Sequence, residues 1–204
     1  MRRTQEQRSA ETKAAINEAT IRCLIARGYA GTTMTSVPEA AGVSRGAVTH
    51  HFASKQEMLL AAIDHLARRL EVDMRAASER SADDTDRLSA VMQMLWQRFR
   101  GDLFYAANEL WTAARTDPIL HQALSASERQ LGRRHRQLIA DLLGEEIASL
   151  PNFALALDTT LNLMRGMAVT GILRDDESKE QALLEGWIRS FTQIAADQPA
   201  QPGK

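Results

Sequence analysis

The run Thr32-Thr33-Met34-Thr35-Ser36-Val37-Pro38-Glu39-Ala40-Ala41-Gly42-Val43-Ser44-Arg45-Gly46-Ala47-Val48-Thr49-His50-His51-Phe52 decides the fold. Its spacing predicts two short helices, 35–41 and 45–51, separated by a three-residue turn. Gly42 can take the positive φ such a turn requires. Val37, Ala41, Val43, Val48 and Phe52 are spaced to close a small core between the two helices and the one before them. Pro38 has no amide hydrogen and is tolerable only in a first turn. This sets the helix start at Thr35, with Pro38 third in the helix. Ser44 is a good N-cap for the second helix, whose first-turn amides and dipole favour phosphate. Arg45 stands in that turn, where a guanidinium can enter a major groove and pair with a guanine edge. Gly46 and Ala47 are small enough to let the helix approach bases closely.

Outward from this run, the period stays helical and no segment alternates like a strand. Residues 5–27 form an amphipathic helix stopped by Gly28. Ser54-Lys55-Gln56-Glu57 is a capping box that opens a helix to about residue 79. The polar stretch 81–86 breaks it. Leu88, Val91, Met92, Leu95, Trp96 and Phe99 then share one face, and after Gly101 so do Leu103, Phe104, Ala107, Leu110, Trp111 and Ala114. Asp117-Pro118 caps and starts a helix to about Leu143. Pro151 and the run Asp175-Asp176-Glu177 open the last two, about 151–173 and 178–196. The expectation is an all-α chain of about nine helices. Residues 1–54 form a helix-turn-helix head, residues 55–197 a ligand-sensing and dimerisation body, and residues 198–204 a disordered tail.

Three adjoining stretches resemble a known family. The run Ala40 to Ala47, the His50-His51-Phe52 end and the adjoining Ser54-Lys55 closely resemble the signature of the TetR (tetracycline-repressor-like) family, over roughly residues 10–66. The resemblance implies a ligand-responsive repressor that binds a palindromic operator as a dimer. It also implies that Thr33 or Thr35 and Lys55 touch phosphates, while Arg45, Gly46, Thr49 and His50 face DNA. Two positions depart from the pattern. Thr49 stands where the family usually has tyrosine, and Pro38 where it favours alanine. The Thr35 start weakens the case for Thr33.

The 204 residues are 44% hydrophobic and 25% charged, which excludes a wholly disordered chain. Net charge is only −1, but residues 1–60 carry eight Lys/Arg against five Asp/Glu, so a mildly basic head sits on an acidic remainder. Cys23 is the lone cysteine, and it falls in an apolar stripe with Ile16, Ala19, Thr20 and Leu24. It reads as a small core residue, and a reducing compartment fits. No apolar h-region follows Arg2-Arg3, and no apolar run approaches the ~20 residues that span a bilayer. A cytoplasmic protein is expected.

Trp96, Phe99, Phe104, Tyr105 and Trp111 gather within sixteen residues, just after Met92 and Met94. Either they fill the core, or they line an apolar cavity with adaptable methionines. Met164 and Met167 join that expected lining. Tyr105, Asn108, Thr112 and Arg115 supply either polar trim or a solvent-facing edge. Apolar residues cover nearly the whole circumference of 153–173, so Arg165 within it needs an internal carboxylate or an anionic ligand. Leu157, Leu161, Ala168 and Ile172, with Leu184, Trp187, Ile188 and Phe191 of the last helix, resemble the family's dimerisation pair, a four-helix bundle about a two-fold axis.

Catalysis and metal binding find little support. Phosphate-loop glycines, HExxH and a serine-centred elbow are missing. Adjacent helical histidines point about 100° apart, and no carboxylate or thiol is spaced beside His50-His51. No cofactor is expected. The expected partners are an operator duplex, a small and apolar or aromatic effector, and a second copy of the chain. The alternatives are an architectural DNA-binding protein without a ligand and, more remotely, an enzyme.

Overall fold

A computed structural model describes residues 4–80, 86–173 and 176–197. The described residues form ten α-helices and no strand. They are α1 Gln5–Gly31, α2 Ser36–Ala41, α3 Arg45–His51, α4 Lys55–Arg80, α5 Arg87–Phe99, α6 Asp102–Ala114, α7 Pro118–Leu143, α8 Glu145–Ala148, α9 Phe153–Gly171 and α10 Glu177–Ala196. The tenth element is α8, four residues entered from Gly144 at φ +86°. Four residues cannot display an apolar period, which is why nine were expected. Residues 81–85, Asp175 and the tail 198–204 lie outside the described residues.

Local chemistry starts and stops these helices. Thr4 and Gln7 make a reciprocal capping box on α1. Gly28 does leave helical geometry at φ +65°, but one more turn follows it, to Gly31. At α4, Ser54 Oγ accepts from Glu57 N at 3.1 Å, and the Glu57 carboxylate accepts from Ala53 N at 2.8 Å, one residue before the cap. Asp86, Asp117 and Asp176 each accept an amide three residues on.

The helices divide into two compact units, Met1–Val72 with Gly101–Gly132, and Asp73–Arg100 with Arg133–Lys204, the divisions falling inside α4, between α5 and α6, and inside α7. The first unit holds two apolar clusters. Ile16, Ala19, Cys23, Val37, Val48, Phe52 and Met58 close the α1–α2–α3 end. Ile21, Leu24, Leu59, Ile63, Leu110 and Leu120 join α1 to α4, α6 and α7. Cys23 is buried and reduced, as a core residue. In the second unit, Val91, Met92, Leu95, Leu138, Leu157, Met164, Leu184 and Phe191 are out of water. There Trp187 Nε1 donates to the buried Thr160 hydroxyl at 2.8 Å. No described helix is long and apolar enough to cross a membrane.

Candidate nucleic-acid interface

The turn between α2 and α3 follows from two residues. Gly42 caps α2 in the left-handed region, at φ +66° and ψ 32°. Its amide donates to Glu39 O at 3.2 Å and that of Val43 to Pro38 O at 3.1 Å, which satisfies carbonyls at the helix end. Ser44 Oγ then accepts from Ala47 N at 3.1 Å and opens α3. Val48 and Phe52 are buried beneath. Their burial fixes the outward face of α3, where Ser44, Arg45, Gly46, Thr49 and His50 are exposed and Ala47 is half-buried.

Pro38 is buried as the third residue of α2, after Thr35. Thr35 does not cap this helix through its side chain. Thr33 does, because its Oγ1 accepts from Ser36 N at 3.0 Å and Thr35 N at 3.3 Å. Ser36 Oγ in turn donates to Gly31 O at 3.0 Å. Of the two threonines expected at phosphates, Thr33 is thus half-buried in this network, and Thr35 is exposed with its hydroxyl 2.8 Å from that of Thr33.

Lys55 makes its contacts within the chain. Its ammonium donates to Tyr29 O at 2.6 Å and lies 3.6 Å from the centre of the Tyr29 ring. Desolvation lowers its pKa, and the Asp117 charge partly restores it. The Tyr29 hydroxyl donates to Asp117 Oδ2 at 2.8 Å, and Tyr29 N to Glu109 Oε2 at 3.3 Å. Burial first, then Asp117, pushes the Tyr29 phenol up to about 12. Asp117 is held below its usual range, chiefly by the Leu120 amide and then by Tyr29. The cluster ties the end of α1 to the start of α4 and the α6–α7 corner. No local sequence pattern announces a contact between residues 88 apart.

Beside α3, the rings of His50 and His51 meet edge-on at 5.3 Å. Desolvation, then the charges of His50 and Lys13, lowers the His51 pKa. No group of three or more His, Cys, Asp or Glu among the described residues is arranged to hold a metal ion.

The residues expected around a ligand fall in both units. In the first, Phe104 is buried and meets Tyr105 and Trp111 edge-on at 5.8 and 6.3 Å. Tyr105, Asn108 and Trp111 are half-buried and Arg115 is exposed. In the second, Met92, Trp96, Phe99, Met164 and Met167 are buried. Met167 also borders a cleft of about 320 Å³ with Thr170, Glu180 and Leu183. Arg165 is half-buried and donates to Asn162 Oδ1 at 3.2 Å.

Of the residues expected between two chains, Leu157, Leu161, Ala168, Leu184 and Phe191 are already buried within one chain. A side chain already out of water gains little from a partner. Trp187 and Ile188 are half-buried and Ile172 is exposed. The apolar side chains left to solvent on α9 and α10 also include Leu155, Val169 and Leu183.

Comparison with known proteins bears on this geometry. The sequence profile of the family described as bacterial regulatory proteins, tetR family, matches residues 16–62, which contain α2 and α3. The transcriptional regulator CymR of Pseudomonas putida is 31% identical, over 87% of this chain and 88% of that one. The transcriptional repressor AcnR of Corynebacterium glutamicum is 30% identical, over 85% of this chain and 90% of that one. The crystal structure of a TetR transcription regulator from Haloarcula marismortui superposes with a TM-score of 0.68, at 23% identity, covering 91% of this chain and 97% of that one.

Proposed function

The chain belongs to the tetR family of bacterial regulatory proteins, and on that premise we propose that it represses transcription by occupying a palindromic operator. A small effector bound in the helical body, within residues 55–197, releases it. The head, residues 1–54, reads the duplex. One observation carries this reading. The outward face of α3 holds exposed Arg45, Thr49 and His50 around a glycine, on a helix anchored from behind by Val48 and Phe52. A seven-residue helix reads only a few base pairs. Two heads facing successive half-sites about 34 Å apart supply the remaining specificity. Arg45 is the residue for a guanine edge, and His50 follows it along the groove.

The effector is small and apolar or aromatic. Support comes from the second unit, where Met92, Met164 and Met167 are buried along with the rings of Trp96 and Phe99. An effector that prefers one arrangement of these helices shifts the population away from the form that fits the operator.

The second chain docks on the exposed stripe of α9. Leu155, Thr159, Asn162, Gly166 and Val169 recur at steps of four and three residues, all exposed, and Leu173, just past the helix end, is exposed as well. The protein binds and releases ligands and performs no catalysis. The test is fluorescence anisotropy of the purified protein on duplexes selected from a random pool, repeated across salt concentrations. A preferred palindrome, with log K falling linearly in log salt, is the expected result. Binding indifferent to both sequence and salt overturns the reading.

A further inference from the structure

Thr49 Oγ1 lies 3.3 Å from the carbonyl oxygen of Arg45 and 3.2 Å from that of Gly46. Its one hydroxyl proton is therefore turned back onto its own helix. In a β-branched side chain, committing one branch to the helix backbone commits the other to a different direction. For the exposed Thr49 that other branch is the γ-methyl.

One turn earlier stands Gly46, an i,i+3 neighbour on the same face. Nothing inside the protein requires a glycine there. Its φ is not positive, and a Cβ at this position would meet only Ser44 Oγ, at 3.8 Å, an ordinary contact. Alanine is a far better helix former and would fit. Gly46 carries no side chain and the exposed Thr49 stands beside it, so this face offers bare backbone next to a methyl, which the fold itself does not use.

Resting on the operator-reading function, we infer that Gly46 and Thr49 form a subsite for the C5-methyl of a thymine, and so specify a T·A pair. Thymine is the base that carries a methyl on its major-groove edge. The Thr49 hydroxyl proton is already given to its own helix, so it cannot be donated to a base carbonyl without giving up that contact. Its methyl needs no such exchange. The close approach comes from the missing Cβ at Gly46, and Arg45, four residues before Thr49, reads a neighbouring pair.

The test replaces each thymine of the preferred duplex in turn by deoxyuridine, which removes only the methyl. In wild type, one replacement per half-site weakens binding about fourfold, the effect of uncovering one methyl-sized group. Thr49→Ser binds the thymine duplex about fourfold more weakly and suffers no further loss on the uracil duplex. Thr49→Val, which keeps a methyl, retains sensitivity to the replacement. Gly46→Ala weakens binding while leaving the thermal midpoint at or above that of wild type. The inference is overturned if no uracil replacement weakens wild-type binding, or if Thr49→Ser loses as much as wild type on the uracil duplex. Sequence-selective binding without methyl dependence sinks this subsite alone. Absence of any preferred duplex sinks the regulator reading with it.

Discussion

At the scale of single residues, the outward face of α3 separates side chains that hold the helix from those that leave it. Val48 is fully buried and Arg45 exposed. Substitution at Arg45 therefore acts on binding with little effect on folding. Arg45→Ala costs about 1–3 kcal/mol on the preferred operator and flattens selectivity at the base pair it contacts. Anisotropy on matched and singly mismatched duplexes measures both, and wild-type binding by the variant would remove Arg45 from the recognition set. Gly42 behaves in the opposite way. Space is not its constraint, since nothing lies within 4 Å of an added Cβ, but its φ of +66° is. Gly42→Ala lowers stability by about 1–2 kcal/mol through backbone strain alone, read as a lower midpoint in thermal unfolding. An unchanged midpoint would mean that the turn relaxes to another conformation.

At the scale of elements, the helices were legible in the sequence because caps and periods are local. Ser44, Ser54, Asp86 and Asp117 announce their helix starts within four residues, and Gly42 announces its turn. What a residue does when its partner lies far along the chain was not legible. The family resemblance implies a phosphate contact for Lys55, yet its ammonium rests on Tyr29, which is tied to Asp117. The side-chain cap of α2 comes from Thr33 and not Thr35, because the third helical position that Thr35 would serve is Pro38, which has no amide hydrogen. The Val37 amide goes to Thr33 O and the Ser36 amide to Thr33 Oγ1. The Tyr29–Asp117 bond gives an element-scale prediction. A phenol pKa of about 12 against the usual 10.0 means that the unfolded chain surrenders this proton first. The stabilising contribution is therefore full below pH 10 and is lost as pH rises towards 12. Tyr29→Phe unfolds at a lower midpoint near neutrality. Its deficit against wild type narrows across that alkaline window, since the difference between the two curves isolates the phenol. A deficit that stays constant from pH 9 to 12 would show that Tyr29 acts by packing alone.

At the scale of the whole molecule, the question is which face of α9 a second copy covers, and apolar content alone misleads here. Leu157 and Leu161 are 2% and 8% exposed, whereas Leu155 and Leu173 are 58% and 92% exposed. Leu157 and Leu161 lie on a different face of α9 from Leu155, Leu173 follows the helix end, and a sequence apolar almost all round does not tell these faces apart. Burial within the chain assigns the first pair to the core and leaves the second for a partner. Gly166 lies on the exposed face of α9 that carries Leu155, with nothing within 4 Å of an added Cβ. The position therefore tolerates a large side chain in one isolated chain and rejects it wherever two helices approach closely. Gly166→Arg is the sharper test than an apolar-to-charged change, because it removes no buried area from the chain carrying it. Far-ultraviolet circular dichroism should match wild type, with sedimentation equilibrium at micromolar concentration giving a single chain mass where wild type gives twice that mass. Operator affinity should then drop by orders of magnitude, since one head must bind without the second half-site. A Gly166→Arg protein that stays dimeric and binds its operator as wild type does would move the interface off this stripe, and α10, with Leu183 exposed and Trp187 half-buried, would be the surface to disrupt next.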